Sequence, residues 1–516
     1  MGLEDLVEDL VRRRGERLKA SRGVKPGIQR HQTKELEKIF PSTPHSLHLV
    51  AYSTLAPTMK AMRLCRWRST RGKGWRAERR DDGKLRPRAV REKDNDSKST
   101  RRKEASTAET SRRREAKLGV GVGESDDDYK LWFALPLQPG SKRITRRTEL
   151  IKDRIWGFEQ VFGTLDVIVN IRMTVVAMEE GGLFIHSPIA PTEECLRLVR
   201  ELEEMHGRVK YIVLPTTAVE HKITFGPFAK RFPDAEIFAA RRQWSFPLNL
   251  PLSFLGLFPR KATPLTEDGD YPWKSEFEMA ELNLTVGIGP FVETAFFHKP
   301  TRTLLVTDTC FMIPETPPEV CEVDPTPLLK RARDDKNDGL VMAKDTQENR
   351  IKGWWKTILF SIFFQPSSVE FDPREWPTAL VWRDDNWVDK VKMVQNKLLV
   401  APILQVLVFS RDPSSTLRYF NRITSWPFKR IIPCHFLAPI EAGPRDLRQA
   451  ARFLIEDPAQ SSANLSPWEK LSLRTGLNAK SEGDYPESEL GLLVGLRNFL
   501  TAVGVINSPV LPDEDK

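Results

Sequence analysis

Three apolar runs in this 516-residue chain end in side chains able to bind a cation or move a proton. The run Tyr211 to Leu214 is β-branched and apolar, stops at Pro215, and leads into a polar segment carrying Glu220 and His221. TLLVTD brings Asp308 to the tip of a second strand, and RIIPCH sets His435 just past a third. Neutral imidazole and carboxylate suit Zn, Fe or Mn, and three or four of them around one open position make a catalytic metal site. Singly, a strand-terminal Asp more often caps a helix, and a post-strand His more often satisfies a loop carbonyl. Shared placement beyond strand carboxyl ends, where ligands collect in open α/β folds, makes Glu220, His221, Asp308 and His435 a candidate metal set. His298, beside a Lys-Pro-Thr-Arg turn, and His186, at the end of the strand LFIHSP, are candidate additional groups. Arg241, Arg242 and Trp244 lie on a loop expected to wall the cleft, with cations suited to an anionic substrate.

The elements that must position these groups alternate. A strand over Thr164 to Met178 turns at Glu179 to Gly182 and returns as LFIHSP, a hairpin signal. Thr192 then caps a helix with Glu193 and Glu194 in its first turn, where acids favour the helix dipole. The strand Val209 to Leu214 follows, then a polar loop with Glu220 and His221, and a short helix over Phe225 to Phe232. Strands are expected at Glu236 to Ala240, Val292 to His298 and Thr303 to Asp308. Further helices are expected at Ile351 to Phe364, Asn386 to Leu399, Ser414 to Ser425, Pro444 to Ile455 and Glu487 to Val503. The order implies a mixed α/β fold. By composition the chain divides into a basic, low-complexity and mostly disordered tail (1–128), a first part of the folded domain (129–313), an inserted polar loop (314–349), the remainder with helical additions (350–507) and a short tail (508–516).

The net charge of +10 is local: Arg63 to Lys117 alone holds 21 Lys and Arg against 9 Asp and Glu. A segment so poor in apolar residues cannot offset its chain entropy, so a solvated tail is expected. Its Arg66-Trp67-Arg68 and Lys73 to Arg76 patches keep nucleic-acid binding as a lesser reading. The five cysteines form no C-x-x-C pair, which argues against a zinc ribbon or disulfide framework and for a reducing compartment. No apolar run reaches the roughly 18 to 20 residues of a membrane helix. The N-terminus lacks a secretory core; a start at Met59 or Met62 would read more like a transit peptide, leaving plastid and cytoplasm both open for a soluble protein.

The stretches RMTVVAMEEGGLFIHSPIAPTEECLRLVRELE, VKYIVLPTTAVEHKITFGPFAKRFPDAEIFAARRQWSFPLNLPLSFLGL, LNLTVGIGPFVETAFFHKPTRTLLVTD and WPFKRIIPCHFLAPIEAGPRDLRQAARFL closely resemble domain of unknown function 4336 (DUF4336), a family found in photosynthetic organisms. That family in turn resembles a divergent branch of the metallo-β-lactamase fold, which implies a four-layer αββα sandwich. Carried over onto this chain, the superfamily's H-x-H-x-D-H loop falls on TTAVEH. Its two leading histidines become Thr216 and Ala218, and its acid and last histidine become Glu220 and His221. Its bridging aspartate matches Asp308 and its final histidine His435, while the middle histidine is missing from Gly287 to Pro290. The resemblance thus implies a reduced, mononuclear site for one divalent ion (Zn, Fe or Mn) in a noncanonical metallo-hydrolase or oxidoreductase with an unidentified small-molecule substrate. The rival expectation, with no ion at all, is a metal-free scaffold that keeps the sandwich and binds a protein partner through the loop from Trp244 to Pro259.

Overall fold

The computed structural model describes residues 143–164, 167–244, 262–287, 289–338, 342–364, 366–372, 374, 380–382, 386–454 and 485–510, with strand backbone at 137–138. The segment 1–128 and most of the loop beyond Trp244, with the tail and partner-binding readings that fall on them, lie outside the described residues.

Strict two-residue alternation in the strands builds two facing sheets. The first contains Leu137–Gln138 (β1), Arg146–Ile151 (β2), Ile155–Thr164 (β3), Val167–Ala177 (β4), Leu183–His186 (β5), Val209–Leu214 (β6), Glu236–Ala239 (β7) and Thr263–Pro264 (β8). Its spatial order is β1-β3-β4-β5-β6-β7-β8, with β2 also on β3, antiparallel as far as β5 and parallel from there. Phe277–Thr285 (β9), Pro290–His298 (β10) and Thr303–Leu305 (β11) begin the second sheet. Two small ribbons follow, Phe311–Met312 (β12) with Leu398–Leu399 (β15), and Val369–Phe371 (β13) with Leu380–Trp382 (β14). Arg430–Ile432 (β16) then joins β11 in parallel, giving the order β16-β11-β10-β9.

Neighbouring residues of one strand go to different layers. Val176, Phe184, Val213 and Phe238 of the first sheet meet Phe277, Phe296, Leu305 and Ile432 of the second in the central layer. Val175, Ile185 and Ile212 face the other way, onto Cys195, Val199 and Leu202 of the helix Glu193–His206 (α1) and Phe225 and Phe228 of Val219–Ala229 (α2). On the far side, Phe297, Leu304 and Ile431 pack on Tyr419, Phe420 and Ile423 of the helix Pro413–Ile423. The result is the four-layer αββα sandwich that the resemblance implied. Burying a side chain such as Phe184, fully enclosed here, contributes roughly 1.5–3 kcal/mol.

α1 begins at its expected cap, with the Thr192 hydroxyl accepting from the Cys195 N–H. Three features differ from expectation. The strands β2, β3 and β9 were not marked in the sequence, because their polar faces (RRTEL, FEQ, EMAEL) mask the alternation. The stretch 314–349 is more than an inserted loop: Glu319–Glu322 (α3) and Thr326–Ala332 (α4) place Val320, Cys321 and Leu328 in a core cluster with Trp354 and Ile358 of Gln347–Phe363 (α5). Among its described charged residues only Arg333 is buried. The segment expected as one helix from Asn386 to Leu399 is a helix only over Trp387–Val394, after which β15 begins. Among the described residues no helix is long and apolar enough to cross a membrane.

Candidate metal centre

β6 ends at Leu214, and Pro215 interrupts its ladder. The next residues are held by β10: Thr217 N–H donates to the Val292 carbonyl (3.0 Å), Val292 N–H to Thr217 Oγ1 (2.9 Å), and Thr294 N–H to the Pro215 carbonyl (2.7 Å). With the loop fixed by a strand of the other sheet, the helix starts at once. Glu220 and His221 therefore stand in the first turn of α2, not in a loop ahead of a helix beginning near Thr224. Within this polar segment His221 and Lys222 are buried, the first on Ser187 and the second with Nζ on the Trp244 carbonyl at 3.0 Å.

The four candidate ligands converge. One ligand atom from each of Glu220, His221, Asp308 and His435 lies within 4.8 Å of the others. His221 Nε2 is 3.7 Å from Asp308 Oδ2, and His435 Nε2 is 3.4 Å from Asp308 Oδ1. Donors at about 2.0–2.2 Å from a tetrahedral ion stand roughly 3.3–3.6 Å apart, so both imidazole–carboxylate spacings are near those of a loaded site. The set as a whole is somewhat wider than a closed shell.

Each imidazole is oriented from behind. His435 Nδ1 donates to the Asn170 backbone carbonyl at 2.9 Å, which leaves Nε2 of the neutral ring with its lone pair toward Asp308. His221 Nδ1 lies 2.8 Å from Ser187 Oγ, and its Nε2 is buried with no hydrogen-bond partner among the described residues. Such an orphaned nitrogen facing a carboxylate is what a ligand without its ion looks like.

The electrostatics reinforce the grouping. Burial disfavours charge on His221, but the Asp308 carboxylate, with Glu220 and Glu293, outweighs it and raises its pKa. Burial and repulsion from His221 lower that of His435, against the pull of Asp308. Asp308 is held below the usual carboxylate range by the two imidazoles despite its burial.

Three positioning groups carry no signal in the strand-end pattern. Glu293, fully buried in β10, accepts through Oε1 from the backbone N–H groups of Thr307 (2.8 Å), Asp308 (3.1 Å) and Thr309 (3.1 Å). Burial and the charge of Asp308 push its carboxyl up to about 7. Asn170 and Arg172 of β4 fasten the His435 loop: Asn170 Nδ2 donates to the Phe436 carbonyl (3.1 Å) and its Oδ1 accepts from Phe436 N–H (2.8 Å). Arg172 donates to the Pro433 carbonyl at 2.5 Å and pairs with Glu159. A lone polar residue inside an apolar strand (VETAFF, VNIRM) is the sequence signal that would have found them.

The remaining candidates are not among the converging ligands. His298 closes the β10–β11 turn, with Nδ1 2.7 Å from Thr301 Oγ1 and Nε2 3.5 Å from Glu276. His186 is buried between the sheets against Phe296, and neither ring nitrogen has a partner among the described residues. Arg241 grips the Glu281 carboxylate through Nε (3.1 Å) and Nη2 (2.5 Å), and Arg242 donates to Asn283 (2.7 Å) and Thr285 (3.0 Å). Both guanidinium groups are thus committed to β9. The Trp244 ring lies on the backbone of Gly289, where a Cβ would stand 1.8 Å from a ring carbon. That close approach is why glycine stands there.

The sequence pattern of a family described as "Domain of unknown function (DUF4336)" matches residues 152–453, more than half of the chain. Curated proteins give no match. Similar solved structures include a metallo-beta-lactamase from Pontibacter korlensis, 10% identical over 60% of this chain and 99% of that one, TM-score 0.31. A metal-soaked flavodiiron core from Synechocystis sp. PCC6803 is 12% identical over 62% of this chain and 63% of that one, TM-score 0.32. A flavo di-iron protein variant from Thermotoga maritima is 10% identical over 62% and 64%, TM-score 0.35.

Proposed function

Because the chain belongs to the DUF4336 family, we propose that it is a metallo-hydrolase or oxidoreductase with one mononuclear centre held by Glu220, His221, Asp308 and His435. The observation that carries this reading is the convergence of the four ligand atoms around the orphaned Nε2 of buried His221. Carboxylate and imidazole donors in this number fit Zn, Fe or Mn. The leading positions of the loop, Thr216 and Ala218, offer no imidazole, so the donor set serves one ion. A bound divalent ion would supply Lewis-acid polarisation of a carbonyl or phosphoryl oxygen and activation of water, and iron would add oxygen chemistry.

The chain's own residues prepare that centre. The Asn170 carbonyl fixes the His435 tautomer, so that ring turns its Nε2 lone pair toward the centre, and Ser187 Oγ holds the inner nitrogen of His221. Asp308 stays ionised between them, kept in register by the Glu293 clamp on its loop. His221 is enclosed while the other three ligands are half-buried, which leaves the centre open to solvent on one side for a substrate.

The test is turnover by the full chain equilibrated with Zn, Fe or Mn, against nitrophenyl esters, phosphodiesters and dioxygen reduction. Activity that Asp308→Asn lowers at least 100-fold while leaving the melting temperature within a few degrees supports the proposal. A chain that takes up metal and turns over none of these is a binding protein, and one that takes up none is the metal-free scaffold.

A further inference from the structure

Away from the metal centre, two arginine side chains are buried close enough for the charge of one to act on the other, and no acid among the described residues pairs with either. Arg411 ends the short turn Phe409–Arg411, and Arg497 lies within the helix Glu487–Ala502; each is 2% exposed. Arg411 donates through Nη1 to the Asn507 carbonyl (2.8 Å) and through Nη2 to Ser410 Oγ (2.7 Å), with Nε 3.3 Å from the same oxygen. Arg497 reaches the neighbouring Asn498 side-chain oxygen through Nε (3.2 Å) and Nη2 (2.9 Å). Its Nη1 is buried with no hydrogen-bond partner among the described residues.

No carboxylate of the described residues acts on either group. Burial draws both below the ordinary arginine value, to about 10, and for Arg497 the charge of Arg411 adds to it. Both remain charged at neutral pH. Glu489, the buried acid of the same helix, is committed to Lys390 and Ser367. The segment beyond the helix crosses this corner, with Asn507 N–H on the Val286 carbonyl and Val510 N–H on the Arg411 carbonyl, each at 2.7 Å. Two like charges taken out of water with no counter-charge are costly, and the guanidinium fork matches an oxoanion in geometry as well as sign.

We propose that Arg411 and Arg497, with the buried Nη1 of Arg497 as the open donor, form a binding site for a small oxoanion, a phosphate or a carboxylate. The same chemistry has two sources: a free anion, or the carboxylates of Asp513, Glu514 and Asp515, which follow Val510 within a few residues of sequence. The site shares no residue with the metal centre.

Thermal unfolding of the full chain in chloride buffer, titrated with inorganic phosphate with and without chelator, tests it. A free-anion site gives a saturable rise in Tm on the order of 3 °C, unchanged by chelator and absent in Arg497→Met. A site filled by the chain's own carboxylates gives no response until Asp513→Asn, Glu514→Gln and Asp515→Asn are combined, and loses it again when Arg497→Met is added. Should Arg497→Met not fold, the phosphorus-31 linewidth of phosphate with the wild-type and triple-neutral chains, with and without excess sulfate, reads the same site. Phosphate without effect on both the wild-type and the triple-neutral chain, or an effect that Arg497→Met leaves intact, overturns the proposal.

Discussion

Replacing Glu293 by alanine removes the acceptor of three backbone N–H groups at once, those of Thr307, Asp308 and Thr309. A buried donor left unsatisfied costs about 1–3 kcal/mol. Three of them, with some relief from water entering the space, set the expected loss at roughly 4 kcal/mol. Glu293→Gln separates this from a generic effect of removing charge. Its amide keeps a carbonyl oxygen for the same three donors, and its NH2 replaces Oε2, which has no hydrogen-bond partner among the described residues. The glutamine variant is therefore expected to lose only about 1–2 kcal/mol. Urea unfolding of the metal-free chains followed by circular dichroism reads both. Because the clamp sets the position of Asp308, zinc affinity measured by chelator competition should fall about 10–100-fold in the alanine variant and only a few-fold in the glutamine variant. Equal losses in the two variants, or an alanine loss below about 1 kcal/mol, would refute the assignment of Glu293 as the support of the Asp308 loop.

Further expectations follow from the same contacts. Asn170→Ala, which strips both side-chain bonds to Phe436, should cost about 2 kcal/mol in urea unfolding and weaken zinc at least ~10-fold by chelator competition. Gly353→Ala should destabilise although alanine is the better helix former, because the added Cβ would stand 1.9 Å from the Leu328 carbonyl oxygen and force α4 away from α5; a loss of about 2 kcal/mol or more in thermal unfolding is expected. His298 is held down to about 4 by burial and Arg154, from an ordinary value of 6.5. The unfolded chain then takes up a proton that the folded chain refuses, so this contribution is complete above pH 6.5, is lost as pH falls, and levels off below pH 4. Relative to His298→Asn, the wild type should lose roughly 3 kcal/mol between pH 7 and pH 4 in urea titrations.

What the sequence disclosed about the site was the part that lies at strand ends. Asp308 and His435 stand out because an ionisable residue directly after an apolar β-branched run has few reasons to be there, and Glu220 and His221 because Pro215 announces the end of β6. The helix holding those two began earlier than its composition suggested, since the loop's backbone groups are satisfied by β10, a partner far along the chain. Glu293, Asn170 and Arg172 were missed for a related reason. Each sits mid-strand: Glu293 acts on the loop after β11, its neighbour in the same sheet, while Asn170 and Arg172 act on a segment that only the facing of the two sheets brings near. The arginines expected to wall the cleft showed the converse, because a cation on a loop is as well served by Glu281 on the next sheet as by a substrate.

The central claim is that four side chains from three distant segments share one ion. Zinc-equilibrated protein, freed of loose metal by gel filtration, should retain about one equivalent per chain, with X-ray absorption showing two imidazole nitrogens among its ligands, and His221→Ala and His435→Ala should each lose it. No retained metal in the wild type, or an equivalent that persists in both variants, would contradict the account.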